Sequence, residues 1–198
     1  GGYIILGTTT SYGNGEYDVW LIKTDSEGNE IWNKTFGGSD SDKGNHVEQT
    51  TDGGYIIVCY TDSFGNDSSG VWSTPRDFWL IKTDSEGNEI WSKTFGGNDG
   101  DMGTHFSQTM DGGYIFTGAT YTFSRGSADI WLIKTDPDGN EEWNKTYGGI
   151  DNDYGRCVQQ TNDGGYVIIG TTMTFGNGFH DGWLIKTDPE GNTVPYGE

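Results

Sequence analysis

WLIKTD occupies residues 20–25 and returns unchanged at 79–84, 131–136 and 183–188. The Trp that opens each copy sets spacings of 59, 52 and 52 residues. A second marker, GGY, carries its Tyr at 3, 55, 114 and 166. The longer interval lies between Tyr55 and Trp79, where a seven-residue excess surrounds NDSSGVWSTPRDF. A period of this size signals stacked supersecondary units. Within each copy the apolar residues are consecutive: Trp20, Leu21 and Ile22, like Tyr55, Ile56 and Ile57. A strand with one solvated face alternates apolar and polar residues, whereas a strand covered on both faces does not.

One full unit reads as four short strands. NHVEQT (45–50) turns through TDGG into YIIVCYT (55–61), and a Gly/Asn/Ser-rich loop leads to FWLIKTD (78–84). SEGN then turns that strand into EIWSKTF (89–95). Strands of this length bounded by Gly, Asn and Asp are hairpin signals, and no stretch shows a 3.6-residue apolar period. The composition agrees, with 34 Gly, 8 Trp, 11 Tyr and 9 Phe in 198 residues. Four-stranded antiparallel sheets covered on both faces by similar sheets are the blades of a β-propeller. The expected fold is therefore all-β, one propeller domain over 1–198, with repeat segments 1–52, 53–111, 112–163 and 164–198. The polar tail KTD is expected at the rim, where the strand leaves the stack.

The motifs DSEGNEIW (25–32 and 84–91) and DPDGNEEW (136–143) resemble the tryptophan-docking motif of the pyrroloquinoline-quinone-type propeller repeat. There D-x-x-G turns the third strand into the fourth and a Trp docks between neighbouring blades. The resemblance assigns docking to Trp32, Trp91 and Trp143. The GGY strand followed by DxWLIKTD also resembles the kelch layout. The whole unit is similar to tandem propeller repeats of secreted and cell-surface proteins of archaea and bacteria, and the resemblance covers essentially the whole chain. It implies a fold and an extracellular or cell-surface setting. It implies no cofactor, because the quinone enzymes need a larger ring and dedicated ligands that no motif here supplies.

The repeats do not close evenly. Aligned on the third copy, Glu198 falls opposite Thr146 and Gly1 opposite Gly164, so a four-unit circle lacks the equivalent of residues 147–163. Gly1 already lies inside a repeat, as in a mature or trimmed product, and Pro195 stands where the fourth docking Trp would be. The chain is then a piece of a longer propeller, a four-bladed ring with one short blade, or a ring completed by a strand from another subunit. An unpaired strand edge recruits partners, so self-association is expected.

Eleven basic residues stand against thirty acidic ones, a net charge of −19, which excludes nucleic acid and anionic lipid as electrostatic partners. No segment holds the roughly 20 apolar residues of a membrane span. Cys59 and Cys157 occupy different repeat positions and read as two unpaired small residues within strands.

Three D-x-D-x-G loops pair Asp40 with Asp42, Asp99 with Asp101 and Asp151 with Asp153. Such carboxylates offer oxygen ligands to calcium, although Asp and Gly are also turn formers and the EF-hand pattern is absent. His46, His105 and Cys157 share one place on the first strand and would suit zinc or copper if they converged, with packed side chains as the competing reading. Trp72 and Arg76 lie in the insertion that no other repeat has, and a Trp on a loop serves recognition or folds back as cover. Asn33, Asn66 and Asn144 open N-x-S/T triplets that permit glycosylation of an exported chain. No phosphate loop or nucleophile arrangement stands apart from the repeat. Near-identical repeats favour a scaffold, since an active site needs one place unlike the others. The expectation is a non-enzymatic interaction or assembly module with protein partners or copies of itself. The alternative is a carbohydrate-binding (lectin-like) or enzymatic propeller that uses the loops of its top face.

Overall fold

A computed structural model of the chain describes residues 1–65 and 76–194. Among them there is no helix, and fourteen antiparallel strands form four sheets. β1 (Ile4–Thr9), β2 (Asp18–Thr24) and β3 (Glu30–Phe36) make the first sheet. β4 (Asp42–Gln49), β5 (Tyr55–Thr61), β6 (Asp77–Thr83) and β7 (Glu89–Phe95) make the second, and β8 (Asp101–Gln108), β9 (Tyr114–Thr120), β10 (Asp129–Thr135) and β11 (Glu141–Tyr147) the third. β12 (Asp153–Gln160), β13 (Tyr166–Thr172) and β14 (Asp181–Thr187) make the last. Each sheet is a meander, with strands paired in chain order. The chain divides into two compact units, Gly1–Met102 and Gly103–Glu198.

The expected strands recur within a residue or so, with one informative exception. The first strand of each complete repeat begins three residues earlier than NHVEQT suggests, at Asp42, and carries a bulge between Gly44 and His46 that recurs between Gly155 and Cys157. The second acid of each D-x-D-x-G motif is thus the first strand residue rather than part of a loop. A Gly at the bulge suits close approach: a Cβ on Gly44 would meet the Leu6 side chain, and one on Gly155 would meet Thr117 Oγ1.

In the first unit, Val19, Leu21, Ile57, Cys59 and Ile81 form the fully buried centre of one apolar cluster, joined by Trp32, Leu6 and Val47. In the second, Ile115, Ile130, Leu132, Val158 and Ile168 play the same part. Each such side chain contributes about 1.5–3 kcal/mol on burial. The consecutive apolar residues of WLIKTD are explained by this covering: in β6 and β10 all seven residues are buried.

The polar tail is not at an exposed rim. Lys82 and Lys134 are 4% and 3% exposed, and Thr83 and Thr135 are fully buried. Burial is tolerated because each ammonium is bonded. Lys82 Nζ donates to Asp52 Oδ1 (2.8 Å), Thr50 Oγ1 (2.7 Å) and Thr83 O (3.3 Å). Lys134 pairs with Asp111 Oδ2 (2.9 Å) and Glu142 Oε2 (2.8 Å), and Lys186 with Asp163 Oδ2 (2.9 Å).

Candidate functional site: the repeat junctions

Every third strand of a repeat, β2, β6, β10 and β14, ends in a turn with the same local chemistry. Asp25 Oδ1 accepts from the backbone N–H of Glu27 and Asn29, both at 2.9 Å, and Asp25 Oδ2 accepts from Asn29 Nδ2 (2.9 Å). Asp84, Asp136 and Asp188 repeat the pattern. These hydrogen bonds hold all four carboxyls below the usual range. The turn requires a left-handed residue, supplied by Gly28, Gly87, Gly139 and Gly191 at φ between 76° and 88°.

The turn is also a seat. A Cβ on Gly87 would lie 2.8 Å from the Trp32 ring, and one on Gly191 would lie 2.8 Å from that of Trp143. Trp32 meets Tyr55 edge-on at 6.0 Å between ring centroids, and Trp143 meets Tyr166 at 5.7 Å. Lys34 Nζ donates to Asn88 Oδ1 (3.0 Å) and Lys145 Nζ to Asn192 Oδ1 (3.3 Å). One Trp, one Tyr, one turn Gly and one Lys–Asn pair thus join consecutive sheets in each unit. Trp91 occupies the equivalent position on β7 and is half-buried. At Gly28, the equivalent turn glycine of the first sheet, a Cβ would meet nothing within 4 Å.

The D-x-D-x-G acids separate. Asp40, Asp99 and Asp151 are exposed, while Asp42, Asp101 and Asp153 are fully buried. Asp42 Oδ2 accepts from Gly38 N–H (2.8 Å) and Ser63 Oγ (2.7 Å), and Asp153 Oδ2 accepts from Gly149 N–H (3.0 Å) and Thr174 Oγ1 (2.8 Å). Each shares the space beside one glycine with the Asp that opens a third strand. A Cβ on Gly148 would lie 2.1 Å from Asp129 Oδ1 and 2.8 Å from Asp153 Oδ2, so the two carboxylates flank one Cα. Asp18 and Asp42 flank Gly37 in the same way, as do Asp77 and Asp101 at Gly96. Only glycine fits between them. Burial, with the Asp153 charge adding to it, pushes the Asp129 carboxyl up. Oδ1 of Asp42, Asp129 and Asp153 has no hydrogen-bond partner among the described residues. The D-x-W position was legible as a repeat feature, but its pairing with the D-x-D-x-G acid depends on sheet packing and has no local signal.

His105 and Cys157 come together as neighbours. Val158 N–H donates to His105 Nδ1 (3.4 Å), which leaves Nε2 facing Cys157 Sγ at 3.7 Å. His46 Nε2 lies 3.1 Å from Glu48 Oε1. Both cysteines are free; burial pushes the Cys59 thiol well up, reinforced by Asp42.

Arg76 is engaged rather than presented: its guanidinium lies over the Tyr60 ring at 4.8 Å, and Nε is 3.7 Å from Asp62 Oδ1. Burial raises the Asp62 carboxyl despite that cation. Trp72 and Asn66 lie outside the described residues. Asn33 and Asn144 are exposed, but their amides are occupied: each Oδ1 accepts from an indole N–H, and each Nδ2 donates to Glu30 or Glu141. No protein-family model matches the chain, and no curated protein matches it.

Proposed function

We propose that the four sheets are blades of a β-propeller of the tandem-repeat kind, and that the chain is a non-enzymatic extracellular or cell-surface module that assembles with copies of itself. One observation carries this reading. Leu21 packs with Ile57 in the first unit, and Leu132 with Ile168 in the second, all fully buried. The equivalent residues at the two ends, Ile5 on β1 and Leu184 on β14, are 46% and 51% exposed. These are the two halves of a contact the chain already makes twice. A head-to-tail partner presenting Leu184 to Ile5 reproduces it, a heterologous interface of the sort that builds rings or filaments. Sedimentation of the purified chain tests this. Association that the Ile5→Lys and Leu184→Lys variants abolish is expected, and a strictly monomeric mass at high concentration overturns it.

Calcium belongs to the same reading because of a separate observation, the orphaned buried oxygens of Asp42 and Asp153. A hard cation takes oxygen ligands and offsets the repulsion within each buried acid pair. Its binding raises the melting temperature by mass action, and an unchanged melt in calcium and in chelator removes it.

A further inference from the structure

The second repeat departs from the others at one contact. Trp20 Nε1–H donates to Asn33 Oδ1 (3.3 Å), and Trp131 Nε1–H donates to Asn144 Oδ1 (3.2 Å). The sheet register sets Asn33 opposite Ile22 and Asn144 opposite Ile133, and it sets Ser92 opposite Ile81. Ser92 is too short to reach the indole. Its hydroxyl donates instead to Glu89 Oε1 (2.8 Å), and Trp79 Nε1–H has no acceptor among the described residues. Trp79 is 4% exposed, and its indole N–H lacks the side-chain acceptor that the indoles of Trp20 and Trp131 have.

Beside it lies a cavity of 470 Å³, within the range of roughly 300–1,000 Å³ usual for ligand sites. Phe36, Phe64, Trp79, Glu89, Ser92, Lys93 and Thr94 are among the residues that line it. Phe64 leans on Trp79 at 5.1 Å between centroids and remains half exposed, so one face of its ring is accessible. The walls combine aromatic rings with hydroxyls, one carboxylate and one ammonium. That pattern mismatches an apolar ligand, and the net charge of −19 disfavours an anionic one. A neutral ring bearing many hydroxyls matches each wall.

We propose that this cavity binds a neutral pyranose sugar. One hydroxyl accepts from Trp79 Nε1–H and another donates to Glu89, while the C–H face of the ring lies on Phe64. The site does not depend on the assembly reading, since it is contained within the first unit and uses neither end face.

The test is indole N–H chemical shifts of the full chain titrated with glucose, galactose, mannose and N-acetylglucosamine. A saturable shift of the Trp79 signal with millimolar affinity is expected, with the Trp20 and Trp131 signals unmoved. Ser92→Asn copies the residue of the other repeats and should keep the fold and melting temperature while lowering affinity at least tenfold. Phe64→Ala should lower it without restoring the Trp79 hydrogen bond. No saturable shift with any of the four sugars, or undiminished binding in Ser92→Asn, overturns the proposal.

Discussion

Lys82 and Asp52 meet across two hairpins, with a buried ammonium 2.8 Å from a carboxylate that is itself largely solvated. The Lys82 hydrogen bond, followed by that of Thr50, pulls the Asp52 carboxyl down to about 2. Its folded-state pKa is below its unfolded one, so its contribution is present above the ordinary carboxylate value and lost as pH falls from about 4 to about 2. The Thr161 hydroxyl, followed by Lys186, pulls Asp163 down into the same window. Asp52→Asn should therefore cost stability at neutral pH, by roughly 1–2 kcal/mol given the solvation of the carboxylate, and should flatten the acid limb of the stability profile. Urea unfolding at a series of pH values measures both.

Asp129 runs the opposite way. Burial and the neighbouring Asp153 raise its carboxyl, so the unfolded chain ionises first as pH rises. In chelator, stability from this group is intact below the ordinary value and declines through the interval up to the raised one. Asp129→Asn retains an acceptor for the Arg125 N–H and adds a donor beside Asp153, so it should be more stable than the parent at pH 7 by about 1 kcal/mol, and no more stable at pH 3. Melting curves at the two pH values decide it, and the parent should gain more than the variant from added calcium at neutral pH, since the variant keeps the Asp18–Asp42 and Asp77–Asp101 pairs.

Gly28 (φ 88°) and Gly87 (φ 76°) take the same left-handed place in equivalent turns, but of the two only Gly87 seats a tryptophan. Gly28→Ala should cost about 1 kcal/mol from the backbone alone, and Gly87→Ala about 2 kcal/mol or more because the Trp32 ring must move. Equal costs in denaturant unfolding would contradict the docking role.

Trp143→Ala should cost about 2–3 kcal/mol, because the ring leaves Tyr166 and the Gly191 turn together. Trp143→Phe should recover about half of that. Calorimetry of both variants checks the ordering.

The strand positions were legible because a strand covered on both faces writes consecutive apolar residues, and because Asp-x-x-Gly demands a left-handed turn wherever it occurs. The likeness singles out Trp32, Trp91 and Trp143, and of these Trp32 and Trp143 lie against a tyrosine and a turn glycine of the next sheet. What stayed hidden were relations between strands distant in sequence. KTD looks like a solvated strand end until Lys82 is seen bonded to Thr50 and Asp52 from another hairpin. Asp151 and Asp153 look like partners because they are two residues apart in sequence, yet Asp153 faces Asp129. Ser92 differs from Asn33 and Asn144 in plain view, but the consequence emerges only from the register that sets it beside Trp79.

One cassette of Trp, Tyr, turn Gly and Lys–Asn pair serves every junction described, and each closes a loop of about one repeat. Contacts of that kind let folding propagate from neighbour to neighbour instead of awaiting one distant pairing. The cassettes are also nearly interchangeable, so a tryptophan released from its own turn encounters another of the same shape nearby. Wrong junctions are then available to the collapsing chain, and the sorting of tryptophans among like seats, rather than the formation of hairpins, becomes the slow step of refolding.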